Sequence, residues 1–119
     1  MISVVDDDIS VRRATLDLLA SAGLACEAFE SGDAYLQSGR VADTTLLILD
    51  VTMSGMTGLD LQRHLIGSGY RIPIIFITGY PEPTLREQAL QAGAIGFLPK
   101  PYEEDVLFGC IERAFGHHR

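Results

Sequence analysis

The 119-residue chain predicts an α/β domain, a doubly wound five-stranded parallel sheet with helices on both faces. Three observations carry that expectation. Short apolar runs alternate five times with longer segments of helical spacing. The runs are unbroken rather than alternating, which marks strands buried on both faces, as in a parallel sheet between helix layers. Glycines stand where the helical segments stop. Right-handed crossovers then wind the chain into a sandwich, with strand order 2-1-3-4-5 expected.

Each element has its own local grounds. Ile2 to Val5 is a buried-strand run that ends in Asp6, Asp7 and Asp8. From Ile9 to Ala22, Val11, Ala14, Leu18 and Ala22 recur at helical spacing, with Asp8 or Ser10 as N-cap and Gly23 as stop. Leu24 to Phe29 forms the second strand, and Ser31 caps a short helix through Tyr35 and Leu36 that closes at Gly39. Thr45 to Leu49 is the most apolar strand and runs straight into Asp50. A Ser-, Gly- and Thr-rich turn leads to a helix from Leu59 to Ile66, with Leu61 and Leu65 on one face. Pro73 opens the run Ile74 to Ile77, which ends at Thr78. A helix from about Thr84 to Ala92 follows, then the fifth strand, Ile95 to Leu98, then Pro99-Lys100-Pro101. Glu103 to Phe115 is the last helix, with Val106, Cys110 and Ala114 along one side.

Composition bounds the function. The length fits one domain over 1–119. A formal charge of −7 disfavours a nucleic-acid surface, since that affinity needs clustered Lys and Arg against phosphates. The longest apolar runs fall far short of the roughly 18 residues a membrane helix needs. With no basic-plus-apolar leader, a cytoplasmic location is expected, and no membrane partner. Cys26 and Cys110 show no metal spacing and are expected as small apolar core residues. His64 lacks a partner one turn away, and His117 and His118 are not assigned as ligands or phosphohistidines. No P-loop or GxGxxG spacing occurs. One oddity remains: of nine basic residues, Lys100 is the only lysine.

In an open α/β sheet, ligands bind beyond the carboxyl ends of the strands, where the strand order switches direction. The polar oddities fall there. The first strand ends in Asp6 and Asp7, the third in Asp50, the fourth in Thr78, and Lys100 follows the fifth within two residues. Two like charges about 4 Å apart repel by about 4 kcal/mol at an effective dielectric near 20, so three carboxylates need more than one lysine. A hard divalent cation supplies the rest, and an incomplete carboxylate set suits Mg²⁺, with Mn²⁺ as substitute. A phosphoryl group could lie against that cation, with the Thr78 hydroxyl and the Lys100 ammonium on its other oxygens. This is the inventory of phosphoryl transfer, with Asp50 as acceptor.

Taken one at a time, these residues have plainer readings. Asp6 to Asp8 could be an acidic helix cap, Asp50 a turn residue, Lys100 a solvated lysine, Thr78 a loop cap and Phe97 core. The conjunction of four strand ends is what speaks against them.

At these positions the chain resembles the response-regulator receiver domain of two-component signalling, which has a flavodoxin-like fold. The matching elements are Val5-Asp6-Asp7-Asp8, Asp50 followed by Met53 and Gly58, Thr78-Gly79, and Lys100-Pro101. The resemblance implies that Asp50 takes a phosphoryl group from a sensor histidine kinase or phosphotransfer protein. It implies metal ligation by Asp7, by Asp6 through water, by Asp50 and by the backbone carbonyl of Thr52. Thr78 and Lys100 would bind phosphoryl oxygens, and Thr78 and Phe97 would form the switch. A cis Lys100–Pro101 bond is implied too. Because Thr78, Phe97 and Lys100 border it, the surface from Thr84 to Ala114 is expected to change on phosphorylation and to bind a partner or a second copy in a homodimer.

Two departures stand out. Receivers usually carry Met-Pro after the acceptor, whereas Met53 is followed by Ser54; the loss of the proline is expected to relax the loop. Asp8 stands where Glu is commoner. Thr52 and Tyr80 supply no strong base to activate water, so rapid self-hydrolysis is not expected. The domain would be no enzyme beyond its own phosphorylation and autodephosphorylation. Two rival functions fit these residues less well. An aspartyl-nucleophile phosphatase of the haloacid-dehalogenase type needs a second acid where Thr52 stands, and a non-phosphorylated protein-binding module would not need every reactive position filled. Output is expected either through direct partner binding or through a further domain, such as a helix-turn-helix DNA-binding domain controlling transcription.

Overall fold

A computed structural model describes residues 1–115; His117 and His118 lie outside them. Five strands, β1 (Ile2–Val5), β2 (Cys26–Phe29), β3 (Leu46–Asp50), β4 (Ile74–Thr78) and β5 (Gly96–Pro99), alternate with five helices. The helices are α1 (Ile9–Ser21), α2 (Gly32–Gln37), α3 (Gly58–Gly67), α4 (Pro83–Gln91) and α5 (Glu104–Phe115). The strands form one parallel sheet in the order β2-β1-β3-β4-β5, as expected.

Side-chain alternation along the central strands sorts the core into two layers. Leu47 and Leu49 join Tyr35, Leu61, Leu65 and Phe76 in one, under α2, α3 and α4. Leu46 and Ile48 join Leu19, Ile75, Ile77, Leu107 and Ile111 in the other, under α1 and α5. Both faces of β3 are therefore buried, which is why its sequence is apolar at every position up to Asp50.

The caps explain the helix starts. Asp8, rather than Ser10, is the N-cap of α1, and its carboxylate accepts from the N–H groups of Ser10 and Val11. Thr57 and Asp60 form a reciprocal capping box on α3. Gly23, with φ +76°, takes the left-handed position after α1 that a side chain would oppose.

Two of the expected helix faces are corrected. On α1, Ala14 and Ala22 are exposed, and the buried positions are Thr15 and Leu19. Val11 and Leu18 do pack against the core, and the face turns past Ala14 because Thr15 is polar by type yet faces inward. On α5, Val106 is 47 % exposed, and Leu107, Cys110 and Ile111 face the sheet. β2 is also shorter than expected, since the Leu24 N–H is spent on the Leu19 carbonyl at the end of α1. A short 3₁₀ turn over Val41–Asp43, unforeseen from the sequence, lies before β3. It positions Thr44, whose hydroxyl accepts from Tyr35 Oη at 2.8 Å, pairs with Ser3 Oγ at 2.8 Å and donates to the Arg40 carbonyl.

Candidate functional site

Parallel pairing brings the strand ends into line. Val5 is in register with Leu49, so Asp6 and Asp50 follow as neighbours, and Asp50 is in register with Ile77, one residue before Thr78. Asp6, Asp7 and Asp50 each offer a carboxylate oxygen, and these lie within 4.8 Å of one another. Asp6 and Asp50 are buried and Asp7 is exposed, so the cluster opens to solvent on the Asp7 side.

Lys100 reaches this cluster from β5. Its Nζ is 3.0 Å from Asp6 Oδ2 and 3.2 Å from Asp50 Oδ2. The backbone holds the same loop, since the Lys100 N–H donates to the Thr78 carbonyl at 2.7 Å. The Lys100–Pro101 bond is cis. Thr78 is fully buried, and its hydroxyl accepts from the Tyr80 N–H at 3.0 Å. Phe97 is half-buried on the α4 side, its ring 6.2 Å from that of Phe76.

The loop after Asp50 is tightly constrained. Asp50 Oδ1 accepts from the Thr52 N–H, and the Gly58 N–H donates to the Val51 carbonyl. A side chain at Gly58 would overlap the Asp50 carbonyl oxygen, so only glycine lets α3 begin this close to the acceptor strand.

Two further groups escaped the sequence reading. Arg12, on the second turn of α1, donates from Nη1 to the Asp6 carbonyl at 2.8 Å and braces the β1–α1 turn. Its spacing of six from Asp6 was the available signal. The Ser54 N–H donates to Asp7 Oδ2 at 3.3 Å. That donor exists because no proline stands at 54, so the departure supplies a tie between the loop and the acid cluster.

Electrostatics follow from this crowding. Burial, and then the neighbouring Asp6 charge, push the Asp50 carboxyl up to about 6, against the pull of Lys100 and the Thr52 N–H. Burial lowers the proton affinity of the Lys100 ammonium, but the hydrogen bond and charges of Asp6 and Asp50 outweigh it, and the net shift is upward.

The donor set fits a cation. Asp6 Oδ2 is buried, and among the described residues the Lys100 ammonium at 3.0 Å is its one partner. Three carboxylates against one ammonium leave negative charge uncompensated, and an all-oxygen set suits a hard divalent ion. The cluster is thus a potential metal-binding site.

Fold and site together define a doubly wound α/β domain with an acidic pocket, a hydroxyl and an ammonium at its strand ends. The family model for the response regulator receiver domain matches residues 2–112, and the chain belongs to that family. It is 41 % identical over 114 residues to the response regulator protein TodT of Pseudomonas putida, covering 96 % of this chain and 50 % of TodT. It is 35 % identical to the DNA-binding transcriptional regulator NtrC of Escherichia coli, over 98 % of this chain and 25 % of NtrC. The solved structure of the response regulator StyR superposes with a TM-score of 0.88 at 42 % identity, covering 95 % of this chain and 57 % of StyR. The chain spans about half the length of curated relatives such as TodT. Phosphorylation-dependent signalling is the general activity of the family, and receiver domains are not enzymes beyond phosphorylating and dephosphorylating themselves. Family membership also implies a phosphodonor partner. No helix among the described residues is long and apolar enough to cross a membrane.

Proposed function

We propose that residues 1–119 form a single receiver domain in which Asp50 accepts a phosphoryl group with Mg²⁺ bound, switching the surface formed by α4, β5 and α5. The observation that carries this reading is the convergence of Asp6, Asp7 and Asp50 with the one lysine of the chain.

Asp7 and Asp50, the Thr52 carbonyl, and Asp6 through water would hold Mg²⁺ (or Mn²⁺). The ion, when bound, neutralises charge on the acid cluster and on the incoming phosphoryl oxygens. An oxygen of the ionised Asp50 carboxylate bonds to phosphorus as the bond from phosphorus to the donor imidazole nitrogen breaks. That nitrogen keeps the electron pair and is reprotonated from solvent. The donor is a phosphohistidine on a sensor kinase or phosphotransfer protein. Lys100 neutralises one phosphoryl oxygen, and the Thr78 hydroxyl turns from the Tyr80 N–H toward another, with Phe97 following it inward.

The helix best placed to respond is α4. Ala89 is its one fully buried side chain, and only Leu85 and Leu90 pack beside it against the core, so a small apolar seam holds the helix. The moved surface would bind a partner or a second copy of the chain. Transcriptional control would come through a separate domain, in the manner that the name of NtrC suggests.

Intact mass after treatment with acetyl phosphate and Mg²⁺ tests the reading. A single phosphoryl adduct is expected on the wild type and none on Asp50→Asn; an adduct that persists in the variant removes Asp50 from its role. Amide shifts across α4, β5 and α5 on adding fluoroberyllate with Mg²⁺ test the surface, and unchanged shifts there would exclude it.

A further inference from the structure

Lys100 is carried by a loop with few backbone anchors. Pro99 and Pro101 on either side have no N–H to give, so the Lys100 N–H bond to Thr78 is the local backbone tie. The next residue supplies another kind. Tyr102 Oη lies 2.7 Å from Thr15 Oγ1, a hydrogen bond that joins the loop to α1 across 87 positions of sequence.

Thr15 is an unexpected residue at its place. It is fully buried, one turn before Leu19, on the face of α1 that packs on the sheet. A threonine inside a helix can satisfy its hydroxyl on the carbonyl one turn back. Here it pairs instead with Tyr102, so the bond stabilises an arrangement between elements rather than the helix alone. One turn earlier the same helix is tied to the acid cluster, since Arg12 grips the Asp6 carbonyl and Asp8 caps the first turn. As a rigid element, α1 therefore fixes two things relative to each other: the turn that carries Asp6, and the loop that carries Lys100. Tyr102 also lines, with Val11, Ala14, Leu18 and Pro101, a groove of about 330 Å³, so the hydroxyl pair lies beside an open face of α1.

We infer that Thr15 and Tyr102 are positioning residues, whose hydroxyl pair holds the Lys100 loop against α1 so that the ammonium meets a phosphoryl oxygen on Asp50 without rearrangement. The inference rests on the reading of Lys100 as a phosphoryl ligand. A loop freed from α1 would leave Lys100 attracted to the carboxylates but able to take more than one side-chain geometry, and the cost would fall on transfer rather than on donor binding.

The test uses the whole chain with Tyr102→Phe, Thr15→Val and the conservative Thr15→Ser. With acetyl phosphate at saturating Mg²⁺, the first two variants should lower the maximal phosphorylation rate about three- to tenfold, the range one hydrogen bond can supply, with KM little changed. Thr15→Ser keeps the hydroxyl and should transfer at nearly the wild-type rate. In a Lys100→Gln background, Tyr102→Phe should slow transfer no further, although it should still lower the melting temperature. A metal-free readout follows from Lys100 being the only lysine. In protein labelled with ¹³Cε-lysine, its two ε-protons should be resolved in the wild type and merge in Tyr102→Phe. Equal slowing by Tyr102→Phe with and without Lys100 would overturn the inference, as would an unchanged rate and unchanged ε-protons. If Lys100→Gln itself transfers at the wild-type rate, the reading of the site falls, and the inference with it.

Discussion

Replacing Asp50 by Asn should stabilise the metal-free protein, and by an amount that depends on pH in a defined way. The Asp50 carboxyl is buried at 2 % exposure beside Asp6, and its pKa stands at about 6 against an ordinary 3.8. The folded state thus holds the proton more tightly than the unfolded chain. The stability this contributes is fully present below about pH 4 and is lost as pH rises through about 6. The full loss is about 3 kcal/mol, and about half of it is already gone at pH 5. Asn has nearly the same volume and no charge to lose, while Lys100 keeps Asp6 as partner. Asp50→Asn should therefore exceed the wild type by about 1.5 kcal/mol at pH 5 and about 3 kcal/mol at pH 8. At pH 8 that is roughly 10 °C in melting temperature. Urea unfolding in EDTA, followed by far-ultraviolet circular dichroism, measures it. Mg²⁺ at ten times its Kd should then return about 1.4 kcal/mol to the wild type and much less to the variant. An Asn variant no more stable than wild type at pH 8, or a gain that does not change with pH, would refute the claim that Asp50 is held ionised at a cost.

Other outcomes follow from the same geometry. Mg²⁺ binding at pH 6 should release about half a proton per chain and almost none at pH 8, because the metal needs the ionised Asp50; calorimetry in buffers of differing ionisation enthalpy reads this directly. Lys100→Met should destabilise the metal-free protein at pH 8 by about 3 kcal/mol or more, since Asp6 and Asp50 lose their cation, and by less at pH 5. Gly58→Ala should unfold the chain or cost several kcal/mol, visible in urea titration, because its new methyl overlaps the Asp50 carbonyl. Tyr35→Phe should cost about 1 kcal/mol in the same titration, as Thr44 loses one of its buried partners.

Much of this molecule could be read from residue pattern because its strands are buried on both sides. Leu46 to Leu49 is apolar throughout, and the first polar residue after it, Asp50, marks both the strand end and the reactive position. Strand ends in a parallel sheet are neighbours by register, so Asp6, Asp50 and Thr78 could be placed together before any distance was known. Phase within a helix is harder. Thr15 and Val106 each break the rule that polarity predicts the outward face, one because its hydroxyl finds Tyr102 and the other because Leu107, Cys110 and Ile111 already fill the seam. Backbone donors are the least visible from composition. The Ser54 N–H on Asp7 and the Arg12 bond to a main-chain carbonyl depend on turn geometry that side-chain type does not announce. The 3₁₀ turn before β3 lacks any capping side chain and left no mark for the same reason.

The central claim is chemical, that one particular carboxylate becomes an acyl phosphate. Borohydride reduces an acyl phosphate on aspartate to homoserine, which marks the position permanently. The chain should be phosphorylated with acetyl phosphate and Mg²⁺, reduced, digested, and sequenced by tandem mass spectrometry. Homoserine at position 50, absent when Mg²⁺ is withheld, is the result expected. Homoserine at Asp6 or Asp7 in place of Asp50, or a phosphoryl adduct on the chain with no reducible aspartate, would contradict the account.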